Sequence, residues 1–137
     1  MDNLNSSTKK FPSASEFDKA KDYRFSHDVH QKLKRASVAI AGAGGLGSNI
    51  AVMLARSGVG HLHIVDFDIV DITNLNRQVY TVRHIGSRKV DAINEILMEI
   101  NPYMKVTTDC VRVAADNCEK IFRGYDIVCE AFDGAES

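Results

Sequence analysis

The feature that most restricts the fold of this chain is a glycine-rich segment between a strand and a helix. Residues 37–41 (Ser-Val-Ala-Ile-Ala) have the character of a buried strand and run directly into Gly42, Gly44 and Gly47. Residues 48–57 place apolar side chains at helical spacing, and Gly58 is suited to end that helix. This order predicts a βαβ unit that begins with a phosphate-binding turn.

Strands and helices continue to alternate along the rest of the chain. Residues 67–85 interrupt the pattern, because they are too polar and irregular for one regular element. Such alternation predicts a mostly parallel sheet covered by helices on both faces, a doubly wound α/β fold. The predicted elements are helix 28–35, strand 61–66, helix 86–100, strand 105–113, helix 116–122 and strand 126–131.

Two parts of the chain are distinguished by composition. Residues 1–27 are rich in Ser, Lys, Asp and Asn and are predicted to form a flexible arm. Residues 28–137 are predicted to form one nucleotide-binding domain. We expect this domain to be incomplete at its C-terminus, because residue 137 is reached where a strand should lead into its next helix.

Composition and charge argue against several classes of protein. The net charge of −1 provides no strong field for nucleic acid or an anionic membrane. The apolar runs are far shorter than the ~20 residues of a membrane span, and the polar first ten residues lack a secretory signal. Cys110, Cys118 and Cys129 form no CxxC pair or zinc-ligand spacing, so we expect them to fill space. We therefore expect a cytoplasmic protein without membrane or nucleic-acid partners.

Asp66 strengthens the prediction of a nucleotide site. It ends the second predicted strand, 19 residues after Gly47, where an acidic side chain can bond ribose hydroxyl groups. The unpaired N–H groups and the dipole of the helix after Gly47 favour an anion at the turn. These features leave NAD, FAD and ATP open as ligands.

The segment after Asp66 favours phosphate chemistry. Asn74 and Arg77 lie in the irregular segment, and Lys89 follows twelve residues after Arg77. An amide and two cations suit a displacement at phosphorus, where charge spreads over phosphate oxygens and positioning supplies most of the catalysis. Hydride transfer does not need such groups.

Four motifs, in this order and spacing, resemble the ThiF/MoeB/HesA family of adenylyltransferases, bacterial relatives of ubiquitin-activating enzymes. They are residues 42–48 (Gly-Ala-Gly-Gly-Leu-Gly-Ser), 66–68 (Asp-Phe-Asp), 74–78 (Asn-Leu-Asn-Arg-Gln) and the Gly86-x-x-Lys89 step. The chain most resembles a short ThiF subgroup linked to thiamine biosynthesis. The resemblance implies the N-terminal part of a Rossmann-like, ThiF-type fold.

The resemblance also implies a reaction and its partners. ATP would adenylate the C-terminal glycine carboxylate of a ubiquitin-like, ThiS-like sulfur carrier to an acyl-adenylate, with Mg²⁺ as cofactor. The family forms homodimers in which an arginine from one arm reaches the other subunit's phosphates. Arg24 has a plausible position for this role, although the surrounding residues 23–26 depart from the family's Arg-Gln pair.

The roles of the site residues follow from the same resemblance. Asp66 would hold the ribose, and Asn74, Arg77 and Lys89 would bind the phosphates, with Arg77 and Lys89 stabilising charge during catalysis. Asp133 would serve the magnesium ion, and Asp68 and Gln78 would orient their neighbours. The nucleotide-binding residues implied are Gly42, Gly44, Gly45, Leu46, Gly47, Asp66, Asp68, Asn74, Arg77, Gln78 and Lys89.

Three other functions remain open on the sequence. The glycine turn and Asp66 by themselves also fit an NAD-dependent oxidoreductase. A binding module that kept the fold and lost the chemistry is a second alternative. In the third, adenylation is retained but the acceptor is a molybdopterin carrier or a tRNA base, since acceptor choice depends on surfaces outside the motifs.

Overall fold

The computed structural model describes residues 11–133 of the chain and contains, within them, one four-stranded sheet and five α-helices. The strands are β1 (Ser37–Ala41), β2 (His61–Val65), β3 (Lys105–Asp109) and β4 (Ile127–Glu130). The helices are α1 (Ala14–Asp22), α2 (His27–Arg35), α3 (Gly45–Ser57), α4 (Lys89–Ile100) and α5 (Cys118–Phe122). Two 3-10 turns, Ile72–Asn74 and Val82–His84, lie between β2 and α4.

The order of the strands places a candidate ligand site at the carboxyl ends of β1 and β4. All pairings are parallel, and the spatial order is β3-β2-β1-β4. The chain moves outward from β1 to β3 and then returns to the other side of β1. The carboxyl ends of β1 and β4 therefore border a topological switch point, where open α/β sheets bind ligands. The predicted parallel α/β fold is confirmed, and the glycine turn and Asp133 meet at this point.

The core lies between one face of the sheet and helices α3 and α4. Alternate residues of the inner strands face it, because successive side chains of a strand point to opposite faces. Burial of each large aliphatic side chain contributes about 1.5–3 kcal/mol. The strands contribute Val38, Ile40, Leu62 and Ile64, and the helices contribute Ala51, Ala55, Ile93 and Leu97.

Three predicted boundaries differ from the structure by three residues or more. Helix α3 begins at Gly45 rather than at residue 48, because Gly44 occupies the N-cap position. Helix α4 begins at Lys89 rather than at residue 86, because Gly86 has a φ of 87°, which a right-handed helix cannot include. Strand β3 ends at Asp109 rather than at residue 113, since pairing with β2 stops there.

Part of the segment predicted as a flexible arm is helical. Residues 1–10 of that segment lie outside the described residues, but residues 14–22 form α1. Its start is a capping box in which Ser13 Oγ accepts a hydrogen bond from the Glu16 N–H at 3.2 Å, and Glu16 Oε2 accepts one from the Ser13 N–H at 2.7 Å. The sequence prediction missed this helix because its capping box lies within a polar stretch.

Opposite charges join α1 to α2. His30 of α2 is only 1% exposed, and its Nδ1 lies 2.5 Å from Asp22 Oδ1 at the end of α1. The Nζ of Lys34 lies 2.5 Å from Asp18 Oδ2. A buried imidazole with a carboxylate partner is satisfied, so this contact attaches α1 to the domain.

We expect the attachment of α1 to weaken in acid. Hydrogen bonds from His30 and, to a smaller extent, from His27 lower the pKa of Asp22 below its ordinary value of 3.8. A lowered carboxyl pKa stabilises the folded state fully above pH 3.8 and loses that effect as pH falls through the lowered value. Amide hydrogen exchange in α1 should therefore be slower in the wild type than in Asp22→Asn at pH 6, and the difference should shrink as the pH falls below 3.8. Asp116→Asn, at an exposed site, should show no difference from the wild type. An Asp22→Asn effect that stays constant as the pH falls below 3.8 would contradict this account.

Two further expectations concern membranes and cysteines. None of the helices within residues 11–133 combines the length and the apolar character needed to cross a membrane. All three cysteines are free thiols. Cys110 and Cys129 are partly buried, whereas Cys118 at the start of α5 is exposed and does not fill space in the core.

Candidate nucleotide-binding site

The turn between β1 and α3 can be built only with glycine at two positions. Gly42 has a φ of 104°, and a Cβ there would lie 2.7 Å from the carbonyl oxygen of Ala131. A Cβ on Gly47 would lie 1.8 Å from the carbonyl oxygen of Gly42. The first glycine therefore permits the turn beside β4, and the last permits α3 to pack against the turn.

The turn presents unpaired backbone donors. Among residues 11–133 no acceptor lies within hydrogen-bond reach of the N–H groups of Gly44, Gly45, Leu46 and Gly47, and the first N–H bonded into the helix is that of Ser48, at 3.0 Å from the Gly44 carbonyl. These groups open a helix of 13 residues, whose N-terminus carries a partial positive charge. Such a turn is suited to bind a phosphate group.

Asp66 is positioned against this turn from the end of β2. Its carboxylate is 8% exposed, with Oδ2 accepting the N–H of Ala43 at 2.8 Å and Oδ1 accepting the N–H of Asp68 at 2.7 Å. Two hydrogen bonds satisfy the buried charge, and each oxygen retains a lone pair for a further donor. The carboxylate can therefore bind a ribose hydroxyl while it holds the turn.

Lys89 is a buried cation at an unfavourable place. It is the first residue of α4 and only 5% exposed, although a helix N-terminus disfavours positive charge. Its one carboxylate partner among the described residues is Asp68, whose Oδ2 lies 3.5 Å from Nζ. The Asp68 carbonyl also accepts the Lys89 N–H at 2.9 Å. A buried ammonium in this position is suited to bind an anionic ligand.

Arg77 lies beside the glycine turn and has no acidic partner among residues 11–133. Its Nη1 donates to the Thr73 carbonyl at 3.2 Å and to Asn76 Oδ1 at 3.0 Å. The side chain passes Gly45, where a built Cβ would lie 3.4 Å from Arg77 Cγ. The guanidinium is exposed and retains donors for a ligand at the turn.

The predicted residues Asn74 and Gln78 have different surroundings. Asn74 Oδ1 accepts the Asp71 N–H at 2.8 Å and so caps its own 3-10 turn, and its amide N–H₂ has no acceptor within the part of the chain that the structure describes. Gln78 is 6% exposed, and its Oε1 has no hydrogen-bond partner among the described residues. Its Nε2 lies 3.7 Å from a Cβ built on Gly44. A buried acceptor without a partner costs about 1–3 kcal/mol. Such an unpaired acceptor is common at a site that binds a ligand or water.

Asp133 follows β4 and faces the same turn. Its Oδ2 lies 3.5 Å from a Cβ built on Gly44. One cavity at the switch point is lined by six of the predicted residues, Gly42, Gly44, Asp66, Asp68, Lys89 and Asp133. Arg77 and Gln78 do not line this cavity; Arg77 passes Gly45, and Gln78 lies beside Gly44. Leu46 is 59% exposed at the start of α3.

Arg24 does not share this cavity. It lines an apolar groove with Phe17, Phe25 and Arg56, between α1 and the C-terminal end of α3. The C-terminal end of α3 lies opposite the turn, so Arg24 does not serve the phosphate site of its own chain.

Two residues of the site were missed by sequence reasoning. The Cζ of Arg112 lies 4.8 Å from the centre of the Phe67 ring, and both residues line the cavity. Arg112 follows β3 closely, so the rule that ligands bind beyond the carboxyl ends of strands could have found it. Tyr80 donates a hydrogen bond to the Ala43 carbonyl at 2.6 Å, and no local sequence signal indicated that contact.

Known sequences match most of the chain. The sequence model of the ThiF family matches residues 19–137. The adenylyltransferase and sulfurtransferase MOCS3 of Culex quinquefasciatus is 46% identical over 103 residues, which cover 74% of this chain and 24% of that protein. The sulfur carrier protein adenylyltransferase of Thermus thermophilus is 40% identical over 104 residues, which cover 75% of this chain and 38% of that protein. The chain thus spans well under half the length of these relatives.

Solved structures share the fold. The tRNA N6-threonylcarbamoyladenosine dehydratase TcdA of E. coli, in complex with ATP, has a TM-score of 0.82 and 30% identity, over 91% of this chain and 53% of that chain. E. coli MccB with ATP has a TM-score of 0.74 and 31% identity, over 79% of this chain and 33% of that chain.

Proposed function

The chain belongs to the ThiF family, and from this premise we propose that it is the nucleotide-binding part of an enzyme that activates a carboxylate with ATP. The observation that carries the proposal is the arrangement at the switch point. Unpaired N–H groups of the glycine turn lie beside the exposed guanidinium of Arg77, which has no acidic partner among the described residues. Donors without acceptors around a turn of this type suit a polyphosphate.

The site residues are assigned to different parts of the nucleotide. Asp66 binds the ribose, since its carboxylate is held at the turn and retains lone pairs. The backbone of residues 44–47 binds a phosphate, and Asn74 adds its free amide N–H₂ group. Arg77 and Lys89 stabilise the charge that grows on the phosphate oxygens during the displacement. Asp68 holds the Lys89 ammonium in place, and Gln78 presents its amide beside Gly44.

The proposed reaction is a displacement at the α-phosphorus of ATP. A carboxylate oxygen forms a bond to that phosphorus while the bond to the bridging oxygen breaks, and pyrophosphate leaves with the electron pair. The products are an acyl-adenylate and pyrophosphate. The protein contributes positioning and fixed positive charge, which are the main sources of rate in such displacements.

The donor set around the cavity fits Mg²⁺. Asp133 offers one carboxylate beside Gly44, and no cluster of three metal-binding side chains exists among residues 11–133. Mg²⁺ is typically bound through one or two carboxylates together with substrate phosphates and waters. We propose Asp133 as its protein ligand, and the bound ion would neutralise charge on the phosphate groups.

We propose the C-terminal glycine of a ubiquitin-like, ThiS-like sulfur carrier in thiamine biosynthesis as the acceptor, in a cytoplasmic homodimer. The name of the Thermus relative, a sulfur carrier protein adenylyltransferase, supports a carrier protein, and MOCS3 likewise combines adenylyltransferase with sulfurtransferase. The molybdopterin carrier and a tRNA base remain alternative acceptors, the latter because TcdA is a tRNA dehydratase.

The experiment that tests the function is ATP–pyrophosphate exchange by the full-length protein with Mg²⁺ and purified carriers that end in Gly-Gly. Exchange that requires a thiamine-type carrier would establish the reaction and the acceptor. Exchange with a different carrier only would correct the acceptor. ATP binding without exchange on any carrier would reject a carrier protein as the acceptor, in favour of a different acceptor such as a tRNA base or of a nucleotide-binding module without this chemistry.

A substitution at Lys89 tests its proposed role. Lys89→Met keeps most of the buried volume and removes the ammonium, so exchange should fall by about 100-fold. Lys105→Met is the matched control, because Lys105 is exposed at the amino end of β3, away from the switch point. Initial exchange rates at saturating ATP measure both. Equal rates for Lys89→Met and the wild type would exclude the role.

A further inference from the structure

Two side chains hold consecutive peptide groups of the glycine turn. Asp66 Oδ2 accepts the N–H of Ala43 at 2.8 Å, and Tyr80 Oη donates to the carbonyl of Ala43 at 2.6 Å. Tyr80 is 4% exposed and belongs to the same segment that carries Asn74 and Arg77. The contact therefore joins the two parts of the site directly.

The geometry of the peptide bond turns this contact into control of an N–H group. The Ala43 carbonyl and the Gly44 N–H belong to one planar trans peptide, in which they point in opposite directions. A hydrogen bond that holds the carbonyl toward Tyr80 therefore holds the Gly44 N–H away from it. Gly44 has no side chain to restrict this peptide, so an external contact is needed to set its orientation.

The N–H of Gly47 belongs to the first turn of α3, where N–H groups have no carbonyl partner within the helix. The Ala43 carbonyl lies before the first residue of that helix and accepts the Tyr80 hydroxyl.

The hydroxyl is suited to remain a donor. Burial raises the pKa of Tyr80, and the nearby Asp66 carboxylate raises it further. The ring is held at its edge by His84, with ring centres 6.3 Å apart and an angle of 74° between the planes. His84 is itself fixed, because its Nδ1 accepts the Thr81 N–H at 2.9 Å.

We propose that Tyr80 is a positioning residue that orients the backbone N–H groups of the glycine turn toward the phosphates of the nucleotide. The inference rests on the proposed nucleotide site and adds to it the group that prepares the turn. Its effect is specific to phosphate, because the ribose is bound by Asp66 and the turn binds only the anion.

The test compares ATP with adenosine in the full-length protein. Tyr80→Phe removes the hydroxyl and keeps the ring, so the Kd for ATP should rise roughly tenfold while the Kd for adenosine stays the same. NMR titration measures both, since it reports affinities into the millimolar range. Tyr103→Phe is the matched control, because Tyr103 also donates to a backbone carbonyl, that of Pro12 at 2.7 Å, but lies away from the site. It should change neither Kd.

The outcomes separate this inference from the proposed function. An unchanged ATP affinity in Tyr80→Phe, or an equal loss of affinity for ATP and adenosine, would overturn the positioning role. In either case, ATP binding by the wild-type protein would still support the proposed function. Failure of the wild-type protein to bind ATP would instead reject the nucleotide site itself. Thermal unfolding of both variants shows whether either substitution disturbs the fold.

Discussion

Replacing Arg77 with alanine is expected to reduce ATP–pyrophosphate exchange by about 100- to 1,000-fold, because it removes a fixed cation from the phosphate site. The guanidinium donates only to the Thr73 carbonyl and Asn76 Oδ1 in the described chain and has no carboxylate to neutralise it. Its charge is therefore available to the phosphate oxygens. The loss should appear mainly in the maximal rate, since charge grows in the transition state.

Two comparison variants separate the role of Arg77 from a general effect of charge. Arg83→Ala removes an arginine from the same segment, but Arg83 pairs with Glu95 at 3.1 Å and lies outside the site. It should exchange at the wild-type rate. Arg77→Lys should fall between the two, because an ammonium keeps the charge and loses the fork of donors. Exchange by Arg77→Ala at the rate of Arg83→Ala would show that the cation has no part in the chemistry.

The arrangement of strands was predictable because it follows from local patterns. A buried strand, a glycine turn and a helix with apolar spacing identify a parallel α/β unit within about twenty residues. The switch point then follows from the rule that parallel strands align their carboxyl ends. Gly42, Asp66 and Asp133 meet for this reason, although 91 residues separate the first from the last.

Contacts that cross from one segment to another were not predictable in the same way. Nothing near Tyr80 in sequence indicates that its hydroxyl meets Ala43, because the pairing depends on how residues 67–85 fold over the turn. Arg112 was overlooked since strand β3 is shorter than its alternating pattern suggested. Helix α1 was missed for a different reason: a capping box of Ser13 and Glu16 lay within a polar stretch that resembled an unstructured arm.

Gly47→Ala is expected to lower the stability of the fold strongly, and its cause is steric. The added Cβ would lie 1.8 Å from the carbonyl oxygen of Gly42, a contact with backbone rather than with a flexible side chain. That carbonyl cannot retreat easily, because the flanking N–H groups of Gly42 and Ala43 bond to the Val65 carbonyl and to Asp66, each at 2.8 Å. Relief requires the turn or α3 to shift, so the free energy of unfolding should fall by about 2–5 kcal/mol.

Gly45→Ala is the control for Gly47→Ala, since both place a methyl group in the first turn of α3. At Gly45 the nearest atom is Arg77 Cγ at 3.4 Å, on a side chain that can move. Gly45 has no positive φ, so alanine fits its backbone and restricts the unfolded chain, which stabilises a protein by about 0.4–1 kcal/mol. This variant should therefore unfold at or above the wild-type denaturant concentration. Urea unfolding of both variants measures the difference. A midpoint for Gly47→Ala equal to that of Gly45→Ala would mean that α3 does not pack against the Gly42 carbonyl.

The substitutions at Gly47 and Arg77 probe different levels of the same site. Gly47→Ala should lower stability and nucleotide affinity together, because one movement of α3 displaces both the core helix and the N–H groups at its start. Arg77→Ala should leave the unfolding midpoint unchanged, since the side chain is exposed and donates only to groups of its own segment. The turn thus requires Gly42 and Gly47 for folding, whereas Arg77 is needed only for the reaction. A loss of stability in Arg77→Ala would show instead that the guanidinium helps to hold residues 67–85 over the turn.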